Sequence, residues 1–118
     1  MEPYERFAAW QACHRLVLAV YTESERWPAH ERYGLVAQVR RAAFSAAVNI
    51  AEGSAKRGPA EFRRFLDISV GSIAEVGYTI RVARDLGYFD ASSWDKLDRI
   101  RTHSAITTWR LYRTLTRP

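Results

Sequence analysis

The stretch GLVAQVRRAAFSAAVNIAEGSAK, residues 34–56, decides the fold. Within it Val36, Val39, Ala43, Ala46 and Ile50 recur at three- and four-residue steps. On a helix of 3.6 residues per turn that spacing draws a single apolar stripe, which is what a bundle core asks of each of its helices. A second set, Ala37, Phe44, Val48 and Ala51, lies a third of a turn or more away. One bundle cannot bury both arcs, so the spacing predicts a helix that is covered by a second copy of the chain. Between the arcs runs a polar row, Gln38, Arg41, Ser45, Asn49 and Glu52, spaced 3, 4, 4 and 3. Polar residues flanked by apolar surface on both sides are expected to be partly buried and paired. Ser72 and Glu75, one step beside the apolar stripe of the next helix, supply complements. The expectation is a hydrogen-bonded network of these seven residues in which Arg41 and Asn49 meet Glu52 or Glu75. Arg41→Ala would then strand a carboxylate, at about 3 kcal/mol. The alternative is a solvated stripe between a core and scattered surface alanines.

Outward from this segment the chain reads as three more helices. Upstream, Trp10, Cys13, Val17, Val20, Ser24 and Trp27 share a stripe on a helix from about residue 4 to residue 27, which Pro28 ends. Downstream, Gly58-Pro59 ends the second helix, and Pro59 suits the first turn of a third. That third helix carries Phe62, Leu66, Ser69, Ile73, Val76, Ile80 and Ala83 and ends at Leu86, with Gly87 suited to a left-handed cap. Ser92-Ser93-Trp94-Asp95 offers a capping signal for a fourth, with Leu97, Ile100, Ser104, Thr107, Leu111 and Leu115 facing inward. Helices of roughly 20 to 25 residues are about 30 to 37 Å long, and the short links between them force neighbours to run antiparallel. The expected fold is all-α: one left-handed, antiparallel up-and-down four-helix bundle spanning residues 1–118 as a single domain.

Composition bounds the function. With 47% hydrophobic and 26% charged residues the chain is neither disordered nor fibrous. No stretch approaches the roughly 18 apolar residues of a membrane span, and the charged N-terminus MEPYERFAAWQACHRL lacks a signal-peptide core, so no membrane partner and a cytoplasmic location are expected. A lone cysteine, Cys13, cannot form an internal disulfide. It falls on an apolar stripe, where a small core residue is a better reading than a nucleophile.

Catalytic arrangements fail one by one. None of His14, His30 and His103 has a glutamate three residues before it, as bundle di-iron sites require, and none follows an arginine after a gap of four to six residues, as in one class of helical ribonucleases. There is no phosphate-binding glycine loop and no metal-ligand cluster. No enzyme, metal or cofactor is expected.

What remains is charge. The net charge is +5, and of the 18 basic residues only Lys56 and Lys96 are lysines. Arg99, His103, Arg110, Arg113 and Arg117 share a stripe on the fourth helix, which Arg81 and Arg84 at the end of the third extend. Arginine forks pair with phosphates, so the stripe is a candidate surface for RNA or DNA. Against this, charged stripes commonly just face water, and Arg110, Arg113 and Arg117 also complement a helix C-terminus.

Glu31-Arg32-Tyr33-Gly34-Leu35, Gln38-Val39-Arg40-Arg41-Ala42, Ser45, Asn49-Ile50-Ala51-Glu52-Gly53, Phe65-Leu66, Gly71-Ser72, Glu75 and Leu86-Gly87-Tyr88 follow one another in an order that resembles the bacterial four-helix-bundle family named after proteins encoded in 23S ribosomal RNA intervening sequences. The resemblance covers nearly the whole chain, including Trp10 and Trp27-Pro28. It implies a homopentamer, which would give Ala37, Phe44, Val48 and Ala51 an oligomer interface to occupy. It also implies kinship with the accessory proteins of diversity-generating retroelements, pentamers that bind nucleic acid and a reverse transcriptase. Two positions depart from the family pattern. Ala47 stands where many relatives have proline, implying a straighter second helix, and Gly77 stands where an acidic residue is usual. The leading expectation is a non-enzymatic, oligomeric, nucleic-acid-binding accessory scaffold; the alternative is a protein-interaction scaffold with no nucleic-acid ligand.

Overall fold

A computed structural model describes residues 1–116. The chain runs through a 3-10 turn (Pro3–Arg6), α1 (Ala8–Ser24), a second 3-10 turn (Ala29–Glu31), α2 (Leu35–Ser54), α3 (Pro59–Asp85) and α4 (Ala91–Thr116), with no strand among the described residues. Each helix packs against two neighbours, in the order α1, α2, α3, α4 and back to α1, and among the described residues no diagonal pair of backbones comes close. The result is an antiparallel up-and-down four-helix bundle measuring 46 × 24 × 22 Å. No helix among the described residues is long and apolar enough to cross a membrane.

The first helix differs from its expected single span. Pro3 stands in a 3-10 turn, and Phe7 then takes an extended conformation (φ −79°, ψ 126°) before α1 begins. That kink sets the Phe7 ring edge-on against Phe62 of α3, centroids 5.5 Å apart. At the other end α1 stops at Ser24, and Trp27 is buried from the connection instead, between Tyr88 and Phe89.

The connections are fixed by side chains as much as by glycine. Leu35 N–H donates to Glu31 Oε1 (3.1 Å), and Tyr88 O–H donates to Glu31 Oε2 (2.7 Å). One carboxylate thus caps α2 and ties it to the α3–α4 turn. The Tyr88 hydrogen bond, then the Leu35 one, holds the Glu31 carboxyl below the usual range. At the end of α3, Gly87 adopts φ +79°, which lets Tyr88 N–H close back on Ala83 O (2.9 Å). The cap of α4 is Asp90, which accepts from Ser93 N–H at 2.7 Å. The helix therefore starts ahead of the serines expected to begin it, because a carboxylate at that position satisfies the first-turn donors better than a hydroxyl further on.

Two apolar clusters fill the interior. Leu16, Val20, Val39, Val76, Ile80 and Leu97 anchor one end; Cys13, Ile50, Phe62, Leu66 and Ile73 anchor the other. Each fully buried aliphatic side chain contributes about 1.5–3 kcal/mol. Leu16, outside the expected stripe, is wholly buried, while Trp10 is half-buried and stacks on His14 at 4.8 Å. On α4 the buried hydroxyl is Thr108 rather than Thr107: its Oγ1 lies 3.6 Å from Cys13 Sγ, and Ser104 Oγ donates to Ala12 O at 3.1 Å. Small polar groups there let α1 and α4 approach closely.

Candidate assembly and nucleic-acid surfaces

α2 meets α3 through small residues. Ser69 Oγ donates to Ala46 O across the interface (2.8 Å), and Ser72 Oγ donates to Ser45 Oγ (2.8 Å). At Gly53 the approach is tighter still: a Cβ there would lie 2.7 Å from Phe65 Cβ and 2.9 Å from Phe62 Cδ1.

This closeness divides the polar row. Asn49 Nδ2 donates to Ser45 O (2.8 Å) and Oγ (3.1 Å) of its own helix, so Asn49, Ser45 and Ser72 form a part-buried set. Gln38 Nε2 donates to Glu75 Oε2, and Arg41 Nη1 reaches only Gln38 Oε1, at 3.5 Å. Within the subunit Arg41, Glu52 and Glu75 are exposed. Neither Glu52 nor Glu75 meets Arg41 or Asn49 there, because Glu75 is taken by Gln38 and Asn49 is turned onto Ser45 of its own helix. In the isolated subunit Arg41→Ala removes only a long surface contact.

The other flank of α2 is open. Ala37, Val48 and Ala51 are half-buried, and Phe44 is 56% exposed. Beside it Arg40 fastens α2 to α1: its Nε donates to Ser24 Oγ (2.9 Å), its Nη2 donates to Tyr21 O (3.2 Å) and pairs with Glu25 (3.0 Å), and the guanidinium lies 4.6 Å from the Tyr21 ring centre. Arg40 sits inside the decisive stretch, yet its role is set by α1 residues that spacing within α2 does not reveal.

The basic stripe runs past three ion-paired arginines. Arg81 and Arg84 both pair with Asp85 (3.1 Å each), Arg84 also lies 4.5 Å from the Trp94 ring, and Arg99 pairs with Asp95 at 3.0 Å. The Arg81 hydrogen bond, more than any other contact, keeps the Asp85 carboxyl below its ordinary range. His103, Arg110 and Arg113 are exposed further along α4; Arg117 lies outside the described residues. The up-and-down order brings the end of α4 to the α2–α3 turn, where Lys56 and Arg57 are exposed, and to Arg63, whose Nη1 donates to Leu115 O at 2.6 Å. These cations come from separate segments, so periodicity along one helix could not group them.

A family model described as 23S rRNA-intervening sequence protein matches residues 5–105. The chain belongs to this family. A search among curated proteins found no match. The family match spans α1, α2 and α3 and stops within α4, so Arg110 and Arg113 lie beyond it. Several residues that carry the family likeness have structural work to do in this chain: Glu31 and Tyr88 lock the turns together, and Gly53 and Ser72 admit α3 against α2.

Reactive groups are few in this family member. Cys13 is fully buried and burial pushes its thiol up to about 11, so it stays protonated at neutral pH and is a poor nucleophile. Among the described residues no group of three His, Cys, Asp or Glu side chains is placed to hold a metal ion.

Proposed function

We propose that this member of the family is a non-enzymatic, cytoplasmic homo-oligomer, pentameric as the family resemblance implies, that binds RNA or DNA backbones as an accessory scaffold. A reverse transcriptase is the protein partner that kinship with retroelement accessory proteins brings into view. The observation that carries the reading is a net charge of +5 on a small bundle that places Lys56, Arg57, Arg63 and Arg110 near one end. Ion pairing at Asp85 and Asp95 leaves the net charge unchanged, and of the acids near the α2–α3 turn Glu61 is itself paired with Arg64. In a ring of subunits the charge multiplies, and attraction for a polyanion at low salt rises with it.

The test is equilibrium binding of the purified protein to single- and double-stranded RNA and DNA at two salt concentrations. Affinity that falls steeply as salt rises is the expected result, since each neutralised phosphate releases condensed counterions. Absence of binding at low salt overturns the reading. It would favour the second one, a scaffold for another protein, to which the acid-paired Arg81, Arg84 and Arg99 already lend support.

A further inference from the structure

Resting on the nucleic-acid reading, we infer that the outer surface of α4 around Trp109 and Tyr112 is a stacking platform for the bases of a single-stranded nucleic acid. The two rings lie parallel within 6°, with centroids 5.4 Å apart. Tyr112 is half-buried and packs against the core cluster of Ile50, Phe62, Leu66 and Ile73, so its ring is held by the bundle. Trp109, three residues earlier on the same helix, stacks against it and is 51% exposed. The indole belongs to neither core cluster, and about half of it stands open to solvent. A large flat ring, braced by a parallel neighbour and half exposed, meets an incoming base at little cost in ordering entropy.

The surroundings choose the occupant. After Asp98, α4 carries no acidic residue, whereas Arg110 is next to Trp109 and Arg113 follows one turn on. Arg63 reaches the same helix end through its bond to Leu115 O, one turn beyond Tyr112. On the facing part of α3, from residue 63 to residue 74, Asp67 is the one acid. An aromatic platform bordered by cations is how single strands are held without sequence preference: phosphates meet the arginines and bases stack on the rings. A duplex offers its phosphates to the same arginines but keeps its bases stacked within, so it gains nothing from Trp109. The earlier basic stripe serves any polyanion; the platform adds a preference for unpaired strands.

Trp109→Ala and Trp109→Phe, compared with the unaltered protein, test this. Fluorescence anisotropy would follow a labelled mixed-sequence single strand of about twenty nucleotides, and the same strand in a duplex, with light scattering on each variant. Expected is an about tenfold loss of single-strand affinity for Trp109→Ala, a smaller loss for Trp109→Phe, and duplex affinity unchanged. Equal losses on both substrates, or no loss, overturn the platform while leaving the nucleic-acid reading standing. If the unaltered protein binds neither substrate at low salt, both fail. A reduced subunit number in Trp109→Ala makes this face a subunit contact and overturns the inference as well.

Discussion

The flank of α2 that meets α3 and the flank that carries Phe44 are built from similar stock, mostly alanines with a few larger residues, yet they have opposite fates. On the first, Ala46 is buried against Ser69, and Gly53 against Phe62 and Phe65. On the second, Phe44 stands in solvent and Ala37, Val48 and Ala51 are half covered. The difference lies in what each flank is offered. α3 brings hydroxyls and a well-placed pair of phenylalanines to its side; α1 brings Arg40's partners and leaves the outer arc alone. A helix face made of small residues can seal only where its partner is shaped to lie close, since dispersion contacts decay within a fraction of an ångström of optimum.

Gly53 is where that closeness is greatest, and it should break first. In Gly53→Ala the new methyl falls 2.7 Å from Phe65 Cβ, which belongs to the stiff base of its side chain, so α3 itself must shift. Overpacking of this kind costs about 1–3 kcal/mol. Urea unfolding of Gly53→Ala should show that loss with an unchanged slope; an unchanged midpoint would mean that α2 and α3 are not in contact there.

A smaller effect is expected from Ser69→Ala. The Ser69 hydroxyl is fully buried and its partner is the Ala46 carbonyl. As a helix-interior carbonyl, Ala46 O also accepts the N–H four residues on, so removing the hydroxyl leaves no orphaned group and forfeits about 0.5–1.5 kcal/mol. The same urea measurement reads it. A loss as large as that of Gly53→Ala would show that the serine holds the helices in register, beyond one hydrogen bond.

Much of this was legible from residue spacing. Val39, Ala43, Ala46 and Ile50 recur with the helical period and are buried, as are Leu66, Ile73, Val76 and Ile80 on α3. Gly87 and Pro59 stand where chain punctuation put them. What spacing could not give was anything settled between helices. The row from Gln38 to Glu52 looks uniform along α2, but Ser72 opposite Ser45 and Glu75 opposite Gln38 divide it into a part-buried half and a wet half. Trp27 fits the helical period of α1 and is indeed buried, yet it gets there from beyond the helix end, because Tyr88 and Phe89 provide a place for it. Arg63 became a neighbour of the α4 terminus only once the chain had turned back on itself. Periodicity reports the angle of a residue about its own axis, and the partner across the interface lies outside its reach.

Phe44→Ser should have the smallest effect on the fold of a subunit and is the sharpest probe of the open flank. With more than half of its surface already in water, Phe44 makes few internal contacts to lose, and surface changes of this kind stay within about 0.5 kcal/mol. If a second copy covers the arc, the same substitution removes an aromatic anchor from the interface centre, where truncation typically costs more than 1 kcal/mol per site and is repeated at every contact of a ring. The two measurements should therefore part company. The midpoint of subunit unfolding, taken at a dilution where the protein is dissociated, stays put, while light scattering at higher concentration shows a shift to smaller species. Were both to stay unchanged, the arc would be ordinary wetted surface and the contrast between the flanks of α2 would be one of cover within the subunit alone. Were unfolding itself to collapse, Phe44 would belong to the core after all, and the flank that looks open would be closed in solution by its own chain.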